Sequence, residues 1–344
     1  MTPIGRVGVG ARPANDLSFV NQVADAAVAA GLEIGYDMRL VRTPEEARGL
    51  DTLILPGPPE RLLGRLGGAT SAGIIAWYTE PLARAPFGPG SRVLRSVTSG
   101  HILGTAARAL PFLTRSARFR DWWERAAWER DMVRNKHELL AMWKRFEEVV
   151  VTDQERASAL SDVGRSVRVI PIGYHAALAG PIIDPAEGQR PIEVFFFGRH
   201  LLAGRRRFRL LARLREELSP DVTVTVPDEW IQGDERAALL ARVKVVIDIH
   251  RVPGAFSPER HILATAAGAA LITEPLPVQP PYTAGTHHIE VPIDGMADAV
   301  RSLLAEEDRR VALVRASQAL VEGPLDMRVC MRALLGGSTT SEGA

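Results

Sequence analysis

Short apolar runs alternate with helical periodicity along the chain, and this sets its architecture. RVGVG at 6–10 ends in glycine, and the stretch after it repeats apolar residues at helical spacing (Leu17, Val20, Val23, Ala24, Ala27, Val28), with Gly31 as the expected stop. LEIGYDMRLV, DTLILPGP, AGIIAWYTEP and SRVLRSVT then supply short apolar segments punctuated by proline and glycine, as an alternating α/β sheet requires. Residues 116–148 contain neither proline nor glycine and read as one or two helices carrying Trp122, Trp123 and Trp128. EEVVVTDQERASAL follows as a strand with Asp153 as a helix cap. Residues 176–190, rich in Pro, Gly and Ala, are the expected linker. Beyond them IEVFFFGR, VTVTV, KVVIDIH and AALITE read as strands, FRLLARLREEL and RAALLARV as helices, and two amphipathic helices span 296–321. Pro324 breaks the last of these ahead of a terminal helix, DMRVCMRALL, and a polar tail.

The expected fold class is α/β with two Rossmann-like domains facing a cleft. The boundaries expected are 1–175 for a first domain, 176–322 for a second, and 323–344 for a terminal helix plus a tail. A chain of 344 residues is long for one core and comfortable for two.

Charge narrows the partners. A formal net charge of +1 offers no support for nucleic-acid binding, so any anion site has to be local. All but three of the 42 basic residues (Lys136, Lys144, Lys244) are arginines, which is a compositional bias, so each arginine needs its own case. The single cysteine excludes an intramolecular disulfide framework and a cysteine-cluster metal site, and it fits a reducing cytoplasm. No apolar run reaches the roughly 18 residues of a membrane span, so no stable membrane insertion is expected.

Two turns carry the chemistry in the second half. VFFFGRHLLAGRRRF sets Gly198 and Arg199 at the carboxyl end of a buried strand, with Arg205, Arg206 and Arg207 at the next helix start. Helix-start amides and planar guanidinium forks suit diphosphate oxygens, and Arg199 and Arg205 lead the candidates over the alternative of a solvated arginine run. VVIDIHRVPGAFSPERHILATAAG is the second: Asp248 and His250 end a strand, and Ser257 with Pro258 makes a cap and a first-turn proline. Arg260 adds charge towards a phosphate and Glu259 a contact to a sugar hydroxyl, against the alternative of an ordinary capped helix packed on the sheet. His250 is as well read as a structural hydrogen-bonding group.

In the first half the glycine-rich opening lacks the third glycine of a dinucleotide fingerprint, so an NAD site is rejected. Asp16 lies in that loop. WYTEP offers Trp77 and Tyr78 as a wall for a ring-shaped acceptor, or as core, with Glu80 as a base. His101 is a loop histidine or a catalytic one. Asp16, Glu80 and His101 are the catalytic candidates. Neither a metal signature nor a phosphate-cradling G-x-x-x-x-G-K-[ST] loop is present, so no metal and no bound cofactor are expected.

Over residues 150–322 the chain resembles glycosyltransferases of the GT-B fold, and within them the spore-maturation-protein-like group. The matching residues are Phe196 to Gly198, Arg207 through Leu210 and Leu211, Ile247 to His250, Arg260, and Ala266 to Gly268 ahead of Leu271 and Ile272. Where that group has a glutamate three positions after the arginine, clasping the donor ribose, this chain has Leu263. The resemblance implies metal-independent transfer of a sugar from a nucleotide-diphosphate donor, bound by residues 176–322, to a small-molecule or cell-envelope acceptor, bound by residues 1–175, with the helix of 323–344 returning to the first domain, by a monomer or homodimer. The departure at Leu263 keeps a second reading open, a non-catalytic GT-B protein that binds a sugar nucleotide or metabolite.

Overall fold

The computed structural model of the chain describes residues 5–13, 18–66, 71–82, 117–196, 206–227, 229, 231–254, 257–276 and 281–336, with the backbone only for 117–123. Among them the strands form two all-parallel sheets. The first joins β1 (Arg6–Gly10), β2 (Asp37–Val41), β3 (Thr52–Pro56), β4 (Gly73–Tyr78), β5 (Glu148–Val151) and β6 (Arg168–Val169) in the order β2-β1-β3-β4-β5-β6. The second joins β7 (Ile192–Phe196), β8 (Val224–Thr225), β9 (Val243–Asp248), β10 (Ala270–Thr273) and β11 (Ile289–Glu290) in the order β11-β10-β9-β7-β8.

Parallel strands covered on both faces read as continuous apolar runs, and the centres of both sheets do so. Leu53, Ile54 and Leu55 of β3 and Val245, Val246 and Ile247 of β9 are all fully buried. Each such side chain contributes about 1.5–3 kcal/mol of burial.

The helices described are α1 (Phe19–Glu33), α2 (Pro59–Leu66), α3 (Ala117–Ala141), α4 (Gln154–Ser161), α5 (Ala176–Ala179), α6 (Arg206–Leu218), α7 (Gly233–Leu240), α8 (Pro258–Ala266), α9 (Met296–Ala305), α10 (Glu307–Glu322) and α11 (Met327–Gly336). Asp153 caps α4 by accepting from the Arg156 amide at 2.9 Å, as its sequence position predicts.

Gly31 does not stop α1. It sits buried within the helix, where a Cβ would come within 1.7 Å of the Met38 sulfur, so its small size lets β2 approach. Gly35, at φ 89°, turns the chain instead. Residues 176–190, expected as a linker, are packed and partly helical. Arg190 is buried there and donates to the carbonyls of Val243 and Ala267 at 2.9 and 3.0 Å. That guanidinium fills the space a side chain at Gly268 would occupy, at φ 74°.

After α10 the chain returns to the first sheet. α11 buries Met327, Cys330, Met331 and Leu334 in one cluster with Val23, Ala27 and Ala30 of α1, and Arg168 on β6 donates to the Ala333 and Leu334 carbonyls at 2.6 and 3.1 Å. Burial pushes the Cys330 thiol up to about 12, which leaves it unreactive.

Candidate functional site

Strand order reverses between β1 and β3 in the first sheet and between β7 and β9 in the second. Open parallel sheets bind ligands at the carboxyl ends of the strands flanking such a reversal, because the connecting loops diverge there and leave a crevice. The crevice of the second sheet therefore lies beyond Phe196 and Asp248, and that of the first beyond Gly10 and Pro56, next to the end of β4.

At the second crevice the side chains form one charged network. Arg206 at the start of α6 grips both carboxylate oxygens of Glu274, at 2.9 and 2.5 Å, and donates to the His250 carbonyl at 2.9 Å. Glu274 also accepts from the His250 amide at 2.7 Å. Burial alone would raise its pKa, but the Arg206 guanidinium and the His250 amide hold it below the usual carboxylate range. Arg260 forms an ion pair with Asp248, itself 1% exposed.

His250 is fully buried. Its Nδ1 accepts from the Gly254 amide at 3.2 Å, so the ring proton sits on Nε2, 2.8 Å from the Thr273 hydroxyl. Burial keeps the ring neutral by lowering its pKa. With both nitrogens engaged, His250 shapes the β9 turn, and any ligand contact from it would have to come through the backbone.

Arg207 differs from its neighbours. Its Nε is buried with no hydrogen-bond partner among the described residues, and the guanidinium lies 5.9 Å from the Phe196 ring centre. Burial, then the charge of Arg260, brings its pKa down to about 9. A buried cation without a partner is costly unless an anion arrives.

Ser257 precedes α8 with Pro258 in the first turn, yet its side chain makes no cap. The hydroxyl donates to Glu259 at 2.5 Å, and it accepts from no amide of the helix start. The Arg260 amide is held by the Ser257 carbonyl at 3.1 Å. Leu263, where the resembling group has glutamate, is 2% exposed and packs in the core.

Facing this network is the end of β4. Trp77 is fully buried and donates from Nε1 to the Ile170 carbonyl at 2.9 Å, and Tyr78 is buried beside it. Both belong to the core, the second of the two readings the sequence left open for them; Trp128 of α3 lines the cleft instead, with Arg251 5.6 Å from its ring centre.

Glu80 sits just past β4. Burial raises its pKa against the opposing charges of Arg156, Arg61 and Arg12, and the charge of Glu259 across the cleft raises it further. Arg156 is locked behind it, donating to the Glu80 and Thr79 carbonyls at 2.8 and 2.6 Å and paired with Asp153; burial lowers its pKa to about 10.

The structure thus brings Glu80, His250, Ser257, Glu259 and Arg260 to one cleft. Asp16, His101, Gly198, Arg199 and Arg205 lie outside the described residues. Glu274 and Arg251 escaped assignment from the sequence, and Arg206 and Arg207 stood behind Arg199 and Arg205 among its helix-start candidates. For Glu274 the available signal was a glutamate directly after a buried apolar strand, at the carboxyl edge where charges meet ligands. Among the described residues no three His, Cys, Asp or Glu side chains converge as metal ligands, and no helix is long and apolar enough to cross a membrane.

Residues 196–336 match the family model described as glycosyl transferase-like. No curated protein sequence matches the chain. Solved structures resemble it over nearly their full lengths at low identity. HepE of Anabaena, in complex with UDP-glucose, is 9% identical with a TM-score of 0.59, covering 97% of this chain and 99% of that one. The sucrose-phosphate synthase of Thermosynechococcus elongatus is 13% identical with a TM-score of 0.62, covering 97% and 100%. AviGT4, a glycosyltransferase involved in avilamycin A biosynthesis, is 14% identical with a TM-score of 0.53, covering 97% and 99%. Two all-parallel α/β sheets meeting at a cleft, a glycosyl transferase-like domain over 196–336 and these likenesses place the chain in the GT-B glycosyltransferase fold.

Proposed function

We propose that the chain is a glycosyltransferase working without a metal. It moves a sugar from a nucleoside-diphosphate donor, bound at the β7–β9 crevice, to a hydroxyl of a small-molecule or cell-envelope acceptor bound beside β4. The observation that carries this reading is Arg207, a partly buried guanidinium whose Nε lacks a partner among the described residues, at a helix start on the strand-order reversal. A diphosphate supplies the missing anion, and Arg207 then stabilises the negative charge that builds on the leaving group. That HepE has been solved with UDP-glucose supports the same donor class here.

In the transfer step the acceptor oxygen bonds to the anomeric carbon, its proton passes to the Glu80 carboxylate, and the bond to the diphosphate breaks with its electron pair. The raised pKa of Glu80 makes it a better proton acceptor than an exposed carboxylate. A cytoplasmic location suits the lone, buried and free Cys330. Leu263, packed in the core and offering no polar atom to a ribose, favours a second reading: a protein of this fold that binds the nucleotide sugar without turning it over.

Thermal-shift and calorimetric titration of UDP, GDP, dTDP, ADP and CDP, with and without magnesium, tests the donor site, because a ligand that binds only the folded state raises its apparent stability. One diphosphate should stabilise the protein equally well in chelator, and the shift should shrink in Arg207→Ala. No response to any of the five removes the donor assignment. Release of free sugar from the matching nucleotide sugar separates the enzyme from the silent binder.

A further inference from the structure

Two cavities adjoin on the β4 side of the cleft, sharing Pro81, Trp128 and Met132 in their walls. The larger, about 320 Å³, is lined on its other sides by Leu82, Val252 and Pro253 together with Arg125, Glu129, Glu155 and Arg156, two charges of each sign. A cavity of about 150 Å³ already holds a benzene ring, so this chamber accepts a ring and its substituents. The smaller, about 140 Å³, is polar and holds Arg61, Arg251, Glu80, Asp131 and Arg134.

The charges of the smaller chamber do not cancel. Asp131 is taken up by Arg134 at 3.4 Å and by Arg130 at 3.5 Å. Glu80 is the one other carboxylate in its wall, and it faces both Arg61 and Arg251. The Arg251 Nε is buried with no hydrogen-bond partner among the described residues, and its guanidinium leans on the Trp128 ring, where a planar group would stack. A guanidinium fork left open beside an aromatic face suits a carboxylate or phosphate attached to a ring.

The geometry points to an amphipathic, anionic acceptor: an apolar ring-sized body in the larger chamber against Trp128, and a carboxylate or phosphate between Arg61 and Arg251 in the smaller. This rests on the glycosyl-transfer reading for the word acceptor alone; the ligand chemistry comes from the cavity walls. The hydroxyl that attacks the donor lies at the Glu80 end, where the two chambers meet the crevice of the second sheet.

Calorimetric titration of the full chain with 4-hydroxybenzoate, phenyl phosphate and methyl 4-hydroxybenzoate tests the site and separates the two anion sources. The anionic ring compounds should bind at least about tenfold more tightly than the neutral ester, about 1.4 kcal/mol. Whichever of the two binds better names the head group. Arg61→Ala and Arg251→Ala should each erase most of that preference, whereas Trp128→Ala should weaken all three ligands alike. Equal binding of the ester, a preference that survives Arg61→Ala, or no binding by any of the three overturns the proposal. UDP titrated into the same samples keeps the two readings apart. Loss of all nucleoside-diphosphate binding with the anion preference intact removes the transferase and leaves this site standing.

Discussion

At the carboxyl edge of the second sheet nearly every charge is committed to another protein atom. Arg206 is bound to Glu274 and the His250 carbonyl, Arg260 to Asp248, and both His250 nitrogens are engaged. At the facing edge of the first sheet, Arg156 is held by backbone carbonyls and Asp153, and burial leaves Glu80 with a raised pKa in the wall of the smaller chamber despite the arginines around it. The first arrangement fixes geometry before a ligand arrives and leaves one buried cation, Arg207, for it. The second leaves Glu80 with burial outweighing the arginines near it, which suits the proton acceptor proposed for it. On the proposed reading, binding a diphosphate and activating a hydroxyl ask opposite things of two edges built from the same parallel-sheet geometry.

The comparison breaks most visibly at Glu80. Glu80→Gln keeps the size and loses the proton acceptor, so kcat should fall by roughly 10²–10⁴. The wild-type acid limb of kcat/KM should stand above the usual carboxylate range and vanish in the variant. Stability should move the other way. A carboxylate whose folded pKa is raised costs stability above that pKa, so the glutamine variant should melt at or above the wild-type temperature at neutral pH. Unchanged kcat would remove Glu80 as the base.

On the opposite edge Glu274→Ala should cost folding rather than chemistry, about 3–5 kcal/mol, because Arg206 is left buried without its partner. The pH dependence has a definite sign. Glu274 has a depressed folded pKa, so its contribution is present above the unfolded carboxylate pKa and is lost as pH falls through the folded one. Urea unfolding at pH 7 should separate wild type from variant, and the gap should narrow on acidification below about pH 4. A gap that persists at low pH would mean the side chain acts through packing.

The two edges were unequally legible in the sequence. Runs such as VKVVID are apolar on both faces and announce buried parallel strands without help, and Asp153 ahead of a helix start announces its own cap. The turn after β9 was legible as a strand end running into a helix start because Asp248 and Pro258 bracket it. Its internal pairing was not, since Arg206 and Glu274 stand 68 residues apart and meet only through sheet order. Trp77 and Trp128 show the same limit. Both are aromatic residues near the cleft in sequence terms, yet Trp77 lies inside β4, where neighbouring strands enclose it, while Trp128 rides a helix that overhangs the opening. Ser257 had the residue type of a cap, but its hydroxyl is turned to the carboxylate two residues on and makes no cap bond.

A smaller effect sharpens the comparison further because two of its parts carry opposite signs. Arg207 is charged, largely buried and has an unpartnered Nε, so in the ligand-free protein it is a liability that α6 tolerates. Arg207→Ala should leave the stability of the free protein unchanged or slightly higher, while affinity for the nucleoside diphosphate falls about tenfold or more, some 1.4 kcal/mol or above. Arg260→Ala should behave differently: it strands Asp248, 1% exposed, without its partner, and so should lower stability along with affinity. Thermal melts of both variants with and without the diphosphate place the two arginines in separate classes, one held open for ligand and one holding the strand end. Equal destabilisation of the free protein by both would show that Arg207 has a protein partner, and the division between a committed edge and a waiting cation would fail at its central residue.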